Sequence, residues 1–586
     1  MADLTNAQIA AAFEELGDLY ELDGAISYRV IAYRTAAKAV REAPVSVMAL
    51  AREGRVTELP GIGKTLEEKL RALDETGDIP SAVKLRAKYP SGLLSVMHLP
   101  GFGPKRARRL YDELGVDSLD ALRAAVEEHK LRGLRGFGAK VEENLARVLS
   151  EATDDGSPAP RILLSRALAM GEQIAGALSG HPAADRVELA GSLRRRADAV
   201  KDLDVIATAS DPAALAATLG ELSIVESVQS AGDAGARVTT HSGMRVDLKV
   251  VEPDQFGNVL QHFTGSKAHN VALREAAVRR GLHVSEYGIL DDATGETLRC
   301  DTEEEVYARL GLPWIPPELR EGRGELEAAA AGTLPDLIEL SDLRGDLHSH
   351  TTLSDGRGTL EQMVEAARRR GLEYLAITDH SASHGFGNHV PPDELARQVE
   401  RVRALNDELE GFDVLIGTET NILPDGSLDY DDDLLAQLDW VVASVHTAFN
   451  MTRENMTARM ITAAEHPIVD VIGHPTGRKI ETRSPYAIDV ERLIEACART
   501  GTMLEINAAP DRRDLDDVHA RAAAAAGVRI VIDSDAHSPR NLELIQYGVH
   551  TARRAWLTAE QVVNTRPWAE VAKLRKSVQA SSRGSS

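Results

Sequence analysis

The sequence predicts three architectures in one chain: an all-α N-terminal part, an α+β middle part and a distorted C-terminal parallel β/α barrel. Three observations lead there. A Gly-x-Gly turn followed by an amphipathic helix recurs three times before residue 150. Two runs that alternate charged with apolar residues, carrying Asp202, Asp204 and Asp247, lie at 202–206 and 244–251. From 346 to 537, one short apolar run after another ends in a histidine or a carboxylate. A length of 586 residues calls for about three to five domains, and a hydrophobic fraction of 43% supplies large cores.

Composition narrows the function classes. Two cysteines, Cys300 and Cys497, exclude a disulfide scaffold and fit a reducing cytoplasm. The sequence has no apolar run of membrane-spanning length and no signal-peptide core, so a soluble intracellular protein is expected. The net charge of −24 argues against nucleic acid, since phosphate binding wants Lys and Arg. The charge is uneven, however. Residues 1–150 carry 22 basic and 22 acidic side chains, and the acidic excess lies downstream, where carboxylates are candidates to hold metal ions.

The N-terminal repeats read Leu59-Pro-Gly61-Ile-Gly63-Lys with Lys69 beyond, Leu99-Pro-Gly101-Phe-Gly103-Pro-Lys105, and Leu134-Arg-Gly136-Phe-Gly138-Ala-Lys140. Each predicts a tight turn into a helix, where glycines let the backbone approach a ligand and free N–H groups attract an anion. This resembles the helix-hairpin-helix pattern, which grips DNA phosphates without reading sequence. Upstream, Tyr28 to Lys38 predicts a helix with Tyr28, Tyr33 and Arg34 on its surface. That surface is either a solvated basic face or a pocket for a 5′-phosphate or abasic end, with Lys69 as a Schiff-base amine.

In the middle, Gly191-Ser192-Leu-Arg194-Arg195-Arg196 precedes Lys201-Asp202-Leu203-Asp204. Alternation along a strand points Asp202 and Asp204 to one face. Asp247, in Met244-Arg-Val-Asp-Leu-Lys-Val-Val, reads as part of a neighbouring strand. Three such acids can hold two Mg²⁺, one activating a 3′-hydroxyl and one neutralising a triphosphate. Gly191 and Ser192 supply donors to phosphate oxygens, and Arg195 supplies charge. The run His262-Phe263-Thr264-Gly265-Ser266-Lys267 then turns into a helix carrying Asn270 and Arg274 on one face, suited to a nascent base pair.

The C-terminal series is His348, His350 and Asp355; His380; Glu419; His446; His474; then Asp535 and His537. In a parallel barrel all strand C-termini share one face, so these groups converge there. Imidazoles and carboxylates without cysteine suit Zn²⁺, Mn²⁺ or Fe, and nine ligands imply two or three ions rather than one. Phosphoester hydrolysis is the natural reaction for such a cluster. Arg344, Arg357, Arg478 and Arg483 lie near these motifs as candidate phosphate holders or as solvated surface groups.

On these motifs the chain resembles a bacterial or archaeal family X DNA polymerase, of the polymerase beta type, joined to a polymerase-and-histidinol-phosphatase (PHP) domain. The resemblance implies a lyase-like helical domain over 1–85, fingers-like helices over 86–150 and a nucleotidyltransferase palm over 151–258. It implies a thumb over 259–316, a linker over 317–342, a PHP domain over 343–575 and a disordered tail over 576–586. It makes Asp202, Asp204 and Asp247 the catalytic acids at a Mg²⁺ or Mn²⁺ site, and gives the triphosphate to Ser192 and Arg195. Phe263 and Gly265 would line the sugar pocket, with Asn270 and Arg274 sensing base pair and template. The nine C-terminal residues become metal ligands of a Mn²⁺-favoured 3′→5′ exonuclease with cleavage at abasic sites. Gapped or nicked DNA and dNTPs are the implied partners of a cytoplasmic, nucleoid-associated monomer acting in base-excision repair. The chain departs from the pattern at Lys201, where a glycine usually precedes the first acid, at His262, where eukaryotic members have Tyr, and at Thr65, which replaces a lysine. Two alternatives stay open: a DNA-end-binding nuclease with weak or no synthesis, and a phosphoesterase for a small phosphate monoester.

Overall fold

The computed structural model describes residues 4–25, 27–43, 45–59, 61–97, 103–134, 137, 142, 161–383, 389–576 and 578. Gly101, Gly136, Gly138 and Lys140, expected in the second and third DNA-binding turns, lie outside them. The chain divides into two compact units, one of Met1–Arg161, Ile174–Val187 and Lys201–Val250, the other of Ile162–Gln173, Glu188–Val200 and Val251–Ser586. These bounds do not follow the expected ones at 150, 258 and 342.

The first unit opens with α1 (Asn6–Leu22) and α2 (Ser27–Glu42). A capping box between Thr5 and Gln8 starts α1, satisfying N–H groups that have no partner in the first turn. Next come α3 (Lys64–Thr76) and α4 (Pro104–Leu114). The first follows the Gly61–Gly63 turn and the second begins after Gly103, with φ of +91° at Gly61 and +74° at Gly103, values in the region that favours glycine. Leu66, Leu70 and Leu73 recur at helical spacing on α3 and are buried, and Gly77 ends the helix in the left-handed conformation.

A five-stranded sheet lies in the same unit, apart from the last two residues of its first strand. Its strands are β1 (Ala184–Leu189), β2 (Asp202–Ala209), β3 (Val225–Gly232), β4 (Gly235–Thr240) and β5 (Arg245–Val250), in the order β1-β2-β5-β4-β3. β2 and β5 run parallel, and β4 pairs antiparallel with both β5 and β3.

The second unit contains α5 (Phe256–Thr264) and α6 (Lys267–Val278), followed by α7 (Glu325–Ala331). The segment 317–342, expected as a linker, does contain a helix but is not a free connector. Leu319, Leu326, Ala329 and Leu337 join the same apolar cluster as Leu273 and Tyr307. Arg320 is fully buried against Glu303, and Glu325 accepts from the His269 imidazole at 2.7 Å. Leucines and paired charges within this Pro-, Gly- and Ala-rich stretch hold it in place.

The barrel follows as seven parallel strands in sequence order: β6 (Gly345–Asp346), β7 (Tyr374–Ile377), β8 (Asp413–Asn421), β9 (Trp440–Ser444), β10 (Val471–Ile472), β11 (Met503–Asn507) and β12 (Ile530–Asp533). A parallel bridge between Ser349 and Ala536 brings the first strand against the last, and Leu347 N–H donates to Asp533 at 2.8 Å. Tyr374, Leu415, Trp440, Val471, Met503 and Val531 pack in one cluster, while alternate residues such as Leu375, Ile416 and Ile472 pack in others. Burial of both strand faces is why these runs read as continuously apolar. No helix among the described residues is long and apolar enough to cross a membrane.

Candidate metal centres and phosphate-binding elements

In the first unit, Asp204 on β2 lies directly across from Asp247 on β5, and Asp202 across from Arg245. Parallel partners share a face, so the three carboxylates lie together on one side of the sheet. They are half-buried, whereas Leu203, Val205, Val246 and Leu248 on the opposite face are buried. Arg237, the cross-strand neighbour of Asp247 on β4, donates from Nε to its Oδ1 at 2.6 Å. Arg245 stands 3.6 Å from Asp202. Lys201, one residue before this set, is exposed.

In the second unit, Gly191 takes φ +65° at the start of the Gly-Ser turn. Arg195 donates to the Thr264 carbonyl at 2.6 Å and to Glu321 at 3.0 Å, so its guanidinium braces the Phe-Thr-Gly turn. Arg194 bonds the Thr264 hydroxyl and Glu303. On α6, Asn270 Nδ2 donates to the His262 carbonyl at 2.7 Å, and Arg274 lies 3.5 Å from the His262 ring nitrogen. Both residues therefore lie on the α6 face that meets His262; Phe263 is half-buried beside them, and Gly265 is buried with φ +63°.

The turn 191–198 is also held from the barrel. Arg513 Nη1 donates to the Arg196 carbonyl at 3.1 Å and pairs with Asp198 at 2.9 Å. Arg478 takes the other Asp198 oxygen at 2.8 Å, and Arg554 donates to the Arg195 carbonyl at 2.7 Å. Burial raises the Asp198 pKa, but Arg513 and Arg478 hold it below the ordinary carboxylate range.

At the barrel mouth all nine expected ligands converge from six strand ends. Three groups have donor atoms mutually close enough to share a cation: His350, Asp355, His380 and His537; His348, His350 and Asp535; and His380, Glu419 and His446. Glu419 is central, with its oxygens 2.8 Å from His380, 3.2 Å from His446 and 2.9 Å from His474. Asp355 approaches His537 at 3.3 Å, and Asp535 approaches His350 at 3.1 Å. Two candidates, His474 and Asp535, adopt φ of +27° and +53°, a strain of about 1–3 kcal/mol each that is tolerated where function fixes the geometry.

The donor chemistry fits divalent cations. His350 Nδ1, Asp355 Oδ1 and His474 Nδ1 are buried yet make no hydrogen bond, an arrangement costly for polar atoms unless a ligand engages them. Burial, reinforced by His537 and His380, lowers His350 to about 3. Burial and Arg512 lower His474 to about 3. Burial opposes charge on His380, but Glu419 and Asp355 carry it up to about 10. Burial would raise Glu419, yet the imidazoles of His446, His348 and His380 hold it well below the usual range.

Sequence reading missed three supporting acids. Glu505, on β11, holds His348 Nδ1 at 2.6 Å and accepts from the His474 backbone. Asp379 accepts from the Thr351 N–H and from the Thr351 and Ser354 hydroxyls, shaping the loop that carries Asp355. Asp346 accepts from the His348 and Ser534 N–H groups. Such partners orient ligands and tune their basicity. A signal existed for β11, since Met503-Leu-Glu-Ile-Asn507 is another short apolar run containing a carboxylate.

The N-terminal helices correct one expectation. Tyr28 is exposed, but Tyr33 is buried against Tyr20 and Phe13, because it falls on the apolar side of α2 with Ala36, Ala37 and Val40. Arg34 pairs with Asp18 at 3.0 Å and with Glu21. Lys69 Nζ donates to the Ser81 hydroxyl at 2.9 Å and lies 5.8 Å from the Tyr33 ring. Gly61, Gly63 and Lys105 are exposed, as a backbone-gripping role requires.

Known proteins match this layout. Residues 4–79 match the helix-hairpin-helix domain, 93–151 the SAM-like helix-hairpin-helix tandem, 259–321 the DNA polymerase beta thumb, and 346–509 the PHP domain. A Bacillus subtilis (strain 168) protein named DNA polymerase/3′-5′ exonuclease PolX is 39% identical over 565 residues, covering 96% of this chain and 98% of that one. Probable phosphatases of Thermoanaerobacter sp. (strain X514) and Caldanaerobacter subterraneus are each 31% identical over 38% of this chain, covering 89% and 86% of their own lengths. With two acidic centres on separate sheets and similarity along nearly its full length, this chain belongs to the PolX family, the family X polymerases that carry a PHP domain.

Proposed function

We propose that this protein is a DNA-directed DNA polymerase that fills short gaps during repair and digests DNA from the 3′ end at a separate barrel centre. The observation that carries the reading is the pairing, in one chain, of three acids on a single sheet face with a cluster of nine histidines and carboxylates at a barrel mouth. Asp202, Asp204 and Asp247 are the candidate holders of Mg²⁺ or Mn²⁺, and the barrel residues are the candidate holders of two or three Mn²⁺, Zn²⁺ or Fe ions. Such ions, when bound, make a hydroxyl or water nucleophilic near neutral pH and neutralise charge on the phosphate.

The protein's own part is placement. Gly191 lets backbone approach a phosphate, and the Ser192 hydroxyl donates to it. Arg195 and Arg194 fix the Phe263–Gly265 turn where the incoming sugar would lie. Asn270 and Arg274 share the α6 face suited to the base pair. Gly61, Gly63, Gly101, Gly103 and Lys105, with Gly136, Gly138 and Lys140 of the third repeat, hold the DNA backbone without reading bases. Lys69 is the candidate amine for an abasic-end lyase, and borohydride trapping in wild type but not in Lys69→Ala tests it.

Primer extension and 3′ digestion by Asp202→Ala and His348→Ala variants test the two-centre reading. The first is expected to lose synthesis and keep digestion, and the second the reverse. Joint loss of both activities in either variant contradicts it. A second reading, a DNA-end nuclease with weak synthesis, draws on Arg237 and Arg245 standing against Asp247 and Asp202. Undetectable extension by wild type alongside normal digestion would select it.

A further inference from the structure

The four arginines near the ligand motifs have other partners or face solvent. Arg344 pairs with Glu373, Arg478 with Asp198, and Arg483 packs over the Phe449 ring, while Arg357 is exposed. The cavity beside the metal-ligand cluster, roughly 350 Å³, is lined instead by Arg512 and Lys479, together with Asp355, Glu419 and Asp535. Arg512 is 14% exposed at its side chain. Its Nη1 is buried and makes no hydrogen bond to the protein, and its Nε stands 3.8 Å from Asp535, too far for one. The backbone beneath is pinned, since Arg512 N–H donates to the Ala509 carbonyl and its own carbonyl accepts from Arg478, each at 2.8 Å. The next residue, Arg513, turns away to Arg196 and Asp198.

A buried guanidinium with a donor left free is costly unless an anion completes it. Its planar fork matches two oxygens of a phosphate, and the ligand cluster on the same cavity wall is where the scissile phosphorus must sit. We propose that Arg512 is the substrate-binding residue of the barrel centre, donating to the non-bridging oxygens of the DNA phosphodiester to be cleaved. Lys479, at the same wall and 3.4 Å from Asp511, is placed to take an adjacent phosphate. The inference rests on the exonuclease reading above and names how that site recognises its substrate.

The test compares wild type, R512M and R512K in full-length protein, with circular dichroism to establish folding. Three quantities are read: the KM for digesting a 3′-hydroxyl oligonucleotide, inhibition of that digestion by inorganic phosphate, and bound transition metal. R512M should raise KM and weaken phosphate inhibition by about ten- to a hundredfold, the range for a hydrogen bond to a charged group, with metal content unchanged. R512K, which keeps the charge without the fork, should recover part of both, and it decides the matter if R512M does not fold. Unchanged KM and phosphate inhibition would overturn the proposal. So would loss of metal from R512M, which would make Arg512 a charge compensator for the carboxylates. A defect seen only with p-nitrophenyl phosphate would overturn the assignment to DNA. If wild type itself does not digest DNA, it is the exonuclease reading that fails.

Discussion

On the five-stranded sheet, three carboxylates reach one face from two strands and stay half-buried, with arginines from the same sheet against two of them. At the barrel mouth, nine groups arrive from six strand ends, most of them buried, and a second set of acids orients them from behind. The first centre is open, with its three acids only half-buried on one face of the sheet. The second is assembled before any substrate arrives, because closure of the barrel fixes every strand end. Each site is therefore vulnerable in its own way. The sheet face should be sensitive to its three acids and little else, whereas the barrel should also fail when a supporting residue is lost.

The largest expected effect breaks the comparison outright. Asp204→Ala should reduce primer extension by about a thousandfold or more, while 3′ digestion and metal content at the barrel stay at wild-type levels. Equal loss of digestion would show that the centres are not separable. Next, Glu505→Gln should weaken metal binding at the barrel by about 10–100-fold, measured by competition with a chelator, with extension unaffected. A variant that retains metal normally would remove Glu505 from the supporting set.

Stability sharpens the contrast further. Asp198→Asn leaves Arg513 and Arg478 buried without their carboxylate, and unfolding by urea should show a loss of about 3–5 kcal/mol. Glu303 gives a pH signature. Burial raises its pKa, but Arg320 and Arg194 pull it from 4.5 to about 2. Its contribution is fully present above the unfolded value of 4.5 and is lost as pH falls through about 2, a span worth about 3 kcal/mol. Glu303→Gln should therefore flatten the acid limb of the stability profile between those values. The smallest effect concerns DNA grip: Lys105→Ala should lower the salt dependence of DNA binding by about one unit of slope, uniformly across sequences.

The identity of the chemistry was readable along the chain. The Gly61–Gly63 turn, an Asp-x-Asp beside a second acidic strand, and histidines at the ends of apolar runs each depend on spacing within a few residues, which local geometry preserves. Tyr33 was misplaced because surface and core sides of α2 differ by a rotation that its partners Tyr20 and Phe13 settle. Segment 317–342 looked like a connector because proline, glycine and alanine suggest one locally. Its buried Arg320 and Glu325 find their counter-charges and partners in residues 303 and 269, far from a local reading.

Sequence alone determined which residue types stand at strand ends and sheet faces, since side-chain alternation and turn chemistry are properties of neighbours. Tertiary structure decided which arginine lines the cavity beside the histidines and carboxylates, that Glu505 holds His348, and that barrel arginines brace the Gly-Ser turn. Those pairings join positions as much as 359 residues apart. They exist only once the sheet has closed and burial has made each unpaired charge costly.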